Sequence, residues 1–479
     1  MLFVNFLLEN DGSVKMFLNN LLNIENLFLG VLFFGGYISL YSKNILILIF
    51  AIALNVFYFF RKTENFYEKS IYFLMFFLPF YTWIRVSLTD LGFSFLAPFF
   101  NNIRDFVILI MFVRCLFYDE MKLQSNDYIW YAFAFVWLYG LILTFLFGYP
   151  MLGLAGVHLS VVPALLYLTI SYSKETYDFE KLEHVFIKVA LVVAILGMIS
   201  FVAKPYHFQS LFLVSGNQTD AMDYIRLVSL FLTPNVCGCY FSIAFSLTLY
   251  EFIKKEKFIY LIPGMFFFIC IVLTLSRGSW MFVLSAIVLS FFFLRLKSFA
   301  GFLVVVVVGF VSSVLIDDFS FNQNVSMAEF AQMRMQTLFD TNSTSSYGRM
   351  SSWDSVVEML FGSPSGLGIG VATTAQISLG AVAQIGVIDG FWAKTIMETG
   401  IVGLVYCLML VGWTYNKIRI FFCTSKMKYG ILPLFICSGC FIQSIGSNVL
   451  DFICTAPWFW LFLGLTSKKI ETQYIQGKK

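Results

Sequence analysis

Apolar runs close to 20 residues long, nearly free of charge, recur from one end of this sequence to the other. At about 1.5 Å per residue, a helix of that length crosses the ~30 Å hydrocarbon core of a bilayer. Unpaired backbone groups are costly in lipid, so a spanning segment is a helix or a strand of a closed barrel, and runs this long are helices. Only 12% of the 479 residues are charged, against roughly 25% in a soluble domain. The chain is long enough for several soluble cores but lacks the polar surface to cover one. It reads as an all-α integral membrane protein.

The runs fall at 24–41, 44–60, 70–88, 103–118, 127–147, 151–172, 184–203, 225–250, 258–275, 279–295, 299–316, 391–413, 429–447 and 449–466. Allowing neighbours to merge, this gives about 12–14 transmembrane helices. Two longer polar connections interrupt them, at 204–224 and 317–390. The organisation is therefore N-terminal helices over 1–225, central helices over 226–316, one large loop over 317–390, and C-terminal helices with a tail over 391–479. Leu2 to Leu8 is too short, and lacks a basic flank, to read as a cleavable signal peptide.

Orientation follows from lysine and arginine in the short connections. Placing both termini in the cytoplasm puts most of the 31 basic residues there, including Lys254, Lys255, Lys257 and the basic tail. The two long loops then face outward. A net charge of +3 gives no reason to expect a nucleic-acid partner. The nine cysteines lie in or beside apolar runs, where cysteine is an ordinary small packing residue; no metal site is expected from them.

Ten basic residues work against this orientation: Lys43, Arg85, Arg104, Lys188, Lys204, Arg226, Arg277, Arg334, Arg349 and Lys394. A charge near the bilayer centre costs at least ~2.5 kcal/mol, so such residues face a cavity or a partner, or snorkel to headgroups. Arginine presents a planar fork that grips phosphate with two hydrogen bonds. Several arginines at one rim suggest an anionic ligand at the membrane surface, and a lipid-linked pyrophosphate suits that depth. Arg226, Arg277 and Arg349 are the first candidates, with Arg334, Arg85 and Arg104 behind them.

Around these arginines stand other candidates. Asn235 in Thr-Pro234-Asn-Val-Cys-Gly238 reads as a contact to ligand or to a neighbouring helix, with Pro234 and Gly238 loosening the helix around it. Gly278 in Ser276-Arg-Gly-Ser-Trp280 reads as permitting a tight turn. In the large loop, helices are expected over Ser326–Phe339 and Ser346–Phe361, the second carrying Arg349 and Trp353 four residues apart. Gly366-Leu-Gly-Ile-Gly370 reads as a flexible turn or a weak phosphate cradle. Asp389 reads as a helix N-cap or as a general base, and Glu398-Thr-Gly-Ile-Val-Gly403 follows it.

In this order, the blocks at 226–238, 276–278, 346–353, 366–370, 389 and 398–403 resemble the O-antigen polymerase and ligase-like family of bacterial membrane glycosyltransferases. The resemblance covers roughly 226–415. It implies a GT-C-like fold in the bacterial inner membrane with the large loop periplasmic. The implied reaction transfers a sugar chain from an undecaprenyl-pyrophosphate donor, without cofactor or metal. Arg226, Arg277 and Arg349 would hold the pyrophosphate, Asp389 would act as base, and Asn235, Trp353 and Glu398 would contact substrate. The implied partners are undecaprenyl-pyrophosphate-linked repeat units, membrane lipid and a polysaccharide chain-length regulator. Ligases of the family carry a late histidine in the large loop, and this loop has none; the histidines are His158, His184 and His207. That favours a polymerase over a ligase. A transporter of lipid-linked glycans is the competing class.

Overall fold

The computed structural model describes residues 24–205, 207–208, 211, 226–294, 296–318, 344–373, 388–424 and 430–476. It is an all-helical integral membrane protein, with no strand among the described residues. The helices are α1 Ile24–Tyr41, α2 Ile45–Arg61, α3 Phe66–Asp90, α4 Ala97–Phe117, α5 Ile129–Leu146, α6 Pro150–Tyr172 and α7 Phe179–Ala203. They continue with α8 Pro234–Lys255, α9 Leu261–Leu273, α10 Arg277–Ser290, α11 Leu296–Asp318, α12 Thr344–Gly362, α13 Phe391–Thr424, α14 Ile431–Gln443 and α15 Ala456–Gln476. Among the described residues, seven helices are long and apolar enough to cross a membrane on length and composition. Shorter apolar helices occupy most of the other expected spans.

Boundaries depart from expectation where local chemistry intervenes. Helix α4 begins six residues early because Pro98, in its first turn, lacks only an N–H that would be unpaired there. Asp178 caps α7 by accepting from the Lys181 N–H at 3.1 Å, drawing its start forward to Phe179. The largest correction concerns 225–250. Helix α8 starts only at Pro234, in its first turn, so 226–233 is an irregular segment rather than the first turns of a helix. The loop helix expected over Ser346–Phe361 is α12, while Ser326–Phe339 lies outside the described residues.

Two prolines interrupt the α-helical pattern within the spans. Pro79 lies in a 3-10 turn, Leu78–Phe80, within α3, and Pro163 follows a π turn, Val157–Val161, within α6. Proline has no N–H and its ring crowds the carbonyl four residues back, so a helix around it tightens or widens.

Large apolar side chains face outward along the bundle, among them Leu27, Phe34, Phe50, Phe106, Phe135 and Leu408. In water they would be an aggregation hazard; against lipid tails they are at no disadvantage. Helix association in lipid instead rests on close packing and buried polar contacts. A Cβ on Gly439 would lie 2.2 Å from the Phe282 ring, and one on Gly36 2.4 Å from Leu196, so these helices touch where glycine leaves room.

Charged groups collect toward the two ends of the bundle. At one end Asp127 pairs with Lys417 at 2.8 Å and accepts from Tyr167, Tyr172 and Trp413. There too Glu251 pairs with Lys255 at 2.6 Å. Lys188, set apart from both rims in the sequence, meets Glu25 at 3.4 Å alongside Lys62. The arginine-bearing segments gather at the other end.

Candidate active site

Two arginines far apart in sequence flank one turn. Arg226 donates from Nε to the Thr274 carbonyl at 2.8 Å and from Nη2 to the Leu275 carbonyl at 3.2 Å. The Leu227 N–H donates to the Leu273 carbonyl at 3.0 Å, fastening the irregular segment along the end of α9. Arg277 follows two residues later, buried at the first position of α10. The turn is made by Leu275 at φ +50°, and the facing segment holds Ser229 at +49° and Leu232 at +57°. A left-handed conformation is costly for residues with a Cβ, and such strain collects at functional sites. Gly278, expected to permit the turn, lies inside the helix; a Cβ there would come 2.9 Å from Gln443 Cγ, so its role is close approach.

The Pro-Asn-x-x-Gly and Ser-Arg-Gly blocks pack directly together. Asn235 Oδ1 accepts from Ser276 Oγ at 3.0 Å, and Ser279 Oγ donates to Ser276 Oγ at 3.0 Å. Gln443 Nε2 on α14 reaches Ser279 Oγ at 3.2 Å. A Cβ on Gly238 would lie 2.3 Å from Ser279 Oγ, so Gly238 admits the neighbouring helix rather than loosening its own. Asn235 is thus held by a neighbouring helix, the second of the two readings open to it.

The Gly-Leu-Gly-Ile-Gly block docks into a break in α13. Gly400 has φ +63°, and a Cβ there would sit 2.0 Å from the Pro364 carbonyl, so no other residue fits. The break turns the Ile401 N–H onto the Pro364 carbonyl at 3.0 Å. It strips Met397 and Glu398 carbonyls of helical donors, and the N–H groups of Leu367 and Gly368 replace them at 3.2 and 2.7 Å. Broken helices persist in membranes where neighbours satisfy the freed backbone in this way. The loop amides do hold an anion, and it is the chain's own: Glu398 Oε1 accepts from Gly370 N at 2.9 Å and Ala372 N at 3.3 Å.

Glu398 begins a buried polar chain that the sequence did not disclose. Its other oxygen lies 3.6 Å from Lys394 Nζ, which pairs with Asp451 at 2.5 Å and donates to Ser160 Oγ at 3.1 Å. Ser160 donates to Asp451 at 2.7 Å. Lys394, Glu398 and Asp451 are all at most 5% exposed. Two residues before Ser160, His158 Nδ1 meets Asp105, which also pairs with Arg104 at 2.8 Å. The π turn explains why Arg104 is there. Val162 N–H donates to the Val157 carbonyl, and Pro163 has no N–H to offer the next one. The His158 carbonyl therefore loses its helical donor, and Arg104 Nη2 supplies one. An acid beside Arg104 within an apolar run, and another opening the last span, were signals for this network.

The other candidates fall as follows. Arg104 is fully buried and engaged by Asp105, the His158 carbonyl and the Ile453 carbonyl. Arg85 is half-buried, with its guanidinium 6.0 Å from the Tyr81 ring centroid, and its side chain makes no hydrogen bond or ion pair to a described residue. Trp353 is half-buried on α12, which also carries Arg349 in its first turns. Arg334 lies outside the described residues. Asp389 is exposed two residues before α13, and Gly390, whose carbonyl takes the Lys394 N–H, stands at the cap position instead.

The segment 444–455 joins these groups. It leaves Gln443 beside Ser279, receives the Phe391 N–H on the Ser447 carbonyl at 3.3 Å, presents Asp451 to Lys394, and ends with the Ile453 carbonyl near Arg104. Helix α3, carrying Arg85, packs on the 229–231 turn beyond Arg226. Arginines 226, 277, 85 and 104 therefore share one end of the bundle.

No curated protein matches the chain. Residues 263–408 match a protein-family model described as O-antigen ligase. The matched stretch holds Arg277, the loop block and the break in α13, and over it the chain is similar to the O-antigen ligase and polymerase-like family.

Proposed function

We propose that the protein polymerises undecaprenyl-pyrophosphate-linked repeat units into O-antigen or a related surface polysaccharide at the periplasmic face of the inner membrane. The observation that carries this reading is the convergence of Arg226 and Arg277 on one strained turn. Cations fixed at the rim before substrate arrives stabilise charge that develops on a departing pyrophosphate without reorganising. Hydroxyl attack on the donor's anomeric carbon opposite that leaving group inverts the carbon. Arg349 and Arg334, the other arginines of this set, would complete the grip.

The test is the surface polysaccharide ladder of a null strain. Loss of long chains, with single repeat units still attached to the lipid A core, is the expected result. Polymer accumulating on undecaprenyl pyrophosphate with a bare core would identify the ligase, the activity in the description of the matched family model. An unchanged ladder would sink both and favour a transporter or a different polysaccharide.

Orientation has its own check. A cysteine replacing Ser343 should react with a membrane-impermeant maleimide once the outer membrane alone is opened. Native Cys423, exposed near the far end of α13, should stay unlabelled until the inner membrane is breached. The opposite pattern would reverse the topology and remove the site from the periplasm.

A further inference from the structure

Among the described residues at the arginine end, His158 is the side chain best arranged to take up a proton. Its Nδ1 meets Asp105, and a carboxylate accepts, so in the neutral ring Nδ1 carries the hydrogen and Nε2 carries the lone pair. Nε2 makes no hydrogen bond to a described residue, and the side chain is 20% exposed. Three features hold the ring. Asp105 fixes its tautomer, Arg104 fixes Asp105 at 2.8 Å, and the π turn fixes the backbone by handing the His158 carbonyl to Arg104. A histidine oriented by a carboxylate, with its second nitrogen unengaged, is the arrangement of a general base. Close by, Thr82 Oγ1 on α3 lies 3.7 Å from Cys454 Sγ, next to the Ile453 carbonyl that Arg104 reaches, which brings Arg85, one turn along α3, to the same corner.

We infer that the Asp105–His158 pair is the general base of the transfer, with Arg85 as an anion contact beside it. This rests on the glycosyl-transfer reading and replaces Asp389 as proton acceptor. The acceptor hydroxyl oxygen forms a bond to the donor's anomeric carbon while that carbon's bond to pyrophosphate oxygen breaks. The electron pair of the broken bond leaves on the pyrophosphate. The hydroxyl proton passes to His158 Nε2, and the imidazolium, balanced by Asp105, later releases it to water.

The experiment uses full-length purified protein in lipid and the lipid-linked repeat units extracted from a null strain. His158→Ala and His158→Gln should slow transfer by roughly 100-fold or more, with donor binding within about threefold of wild type. Added imidazole should restore part of the rate to His158→Ala but not to wild type. Asp105→Asn should fall with His158→Gln. Arg85→Gln should weaken donor binding. Transfer by His158→Gln within about threefold of wild type would overturn the assignment. So would loss in His158→Ala that added imidazole does not restore. If wild type itself transfers nothing to either a repeat-unit or a core acceptor, the glycosyl-transfer reading falls first, a result distinct from both.

Discussion

Arg277→Ala should reduce glycan transfer by about 100- to 1,000-fold, the cost of removing one preorganised charge-stabilising group. Arg277 is buried at the start of α10, behind a turn whose left-handed Leu275 the neighbouring Arg226 helps to hold. It does not depend on substrate to order it, so its loss should appear in the rate more than in the abundance of the protein. Arg277→Lys keeps the charge but loses the planar fork, and should recover only a minor part of the rate. The complemented null strain provides the measurement, with membrane abundance of each variant normalised. A full-length ladder from Arg277→Ala at wild-type abundance would remove this arginine from the site. Arg226→Ala should be worse for stability, because two backbone carbonyls lose their donors.

The second large effect concerns stability. Lys394→Met leaves Asp451 and Glu398 buried without their cation, and breaking a buried pair from one side costs about 3–5 kcal/mol. The double variant Lys394→Met with Asp451→Asn removes both charges and retains an acceptor for Ser160, so it should regain more than half of that loss. Glu398 still has the Gly370 and Ala372 amides. Thermal unfolding in detergent, read beside membrane abundance, decides the matter. If the two single losses simply add in the double variant, the three groups are not coupled and the buried network is incidental. Coupling would mean that the loop block, α6 and the 444–455 segment are locked together by one cation.

How far each element could be read in the sequence depended on the range of the interaction that defines it. The spans were legible because the cost of placing polar backbone in lipid is local. Asp178 and Pro98 shifted ends by a few residues for reasons equally local. The start of α8 was misplaced because hydropathy continues smoothly through 226–233, whereas Pro234 and the left-handed Ser229 and Leu232 set the geometry. Gly278 and Gly238 were read as backbone devices, yet each serves contact with another helix, which only the partner's position reveals. The resemblance implied substrate contacts at Glu398 and Asn235, and for Asn235 a neighbouring helix was the alternative. Their carboxylate and amide oxygens accept hydrogen bonds from this chain's own groups.

By itself, the sequence determined an all-helical membrane protein, the approximate span of most helices, and a set of cations whose position opposes orientation. Each follows from the expense of putting charge or bare backbone into lipid, a cost carried by a residue wherever it stands. Only the tertiary structure decided which charges are already matched. His158 meets Asp105 across 53 positions, Lys394 meets Asp451 across 57, and Ser160 meets Asp451 across 291. Burial demands a partner for each charge but does not name it; packing brings that partner, and so separates Arg104, which is ion-paired to Asp105, from Arg85, whose side chain forms no ion pair to a described residue.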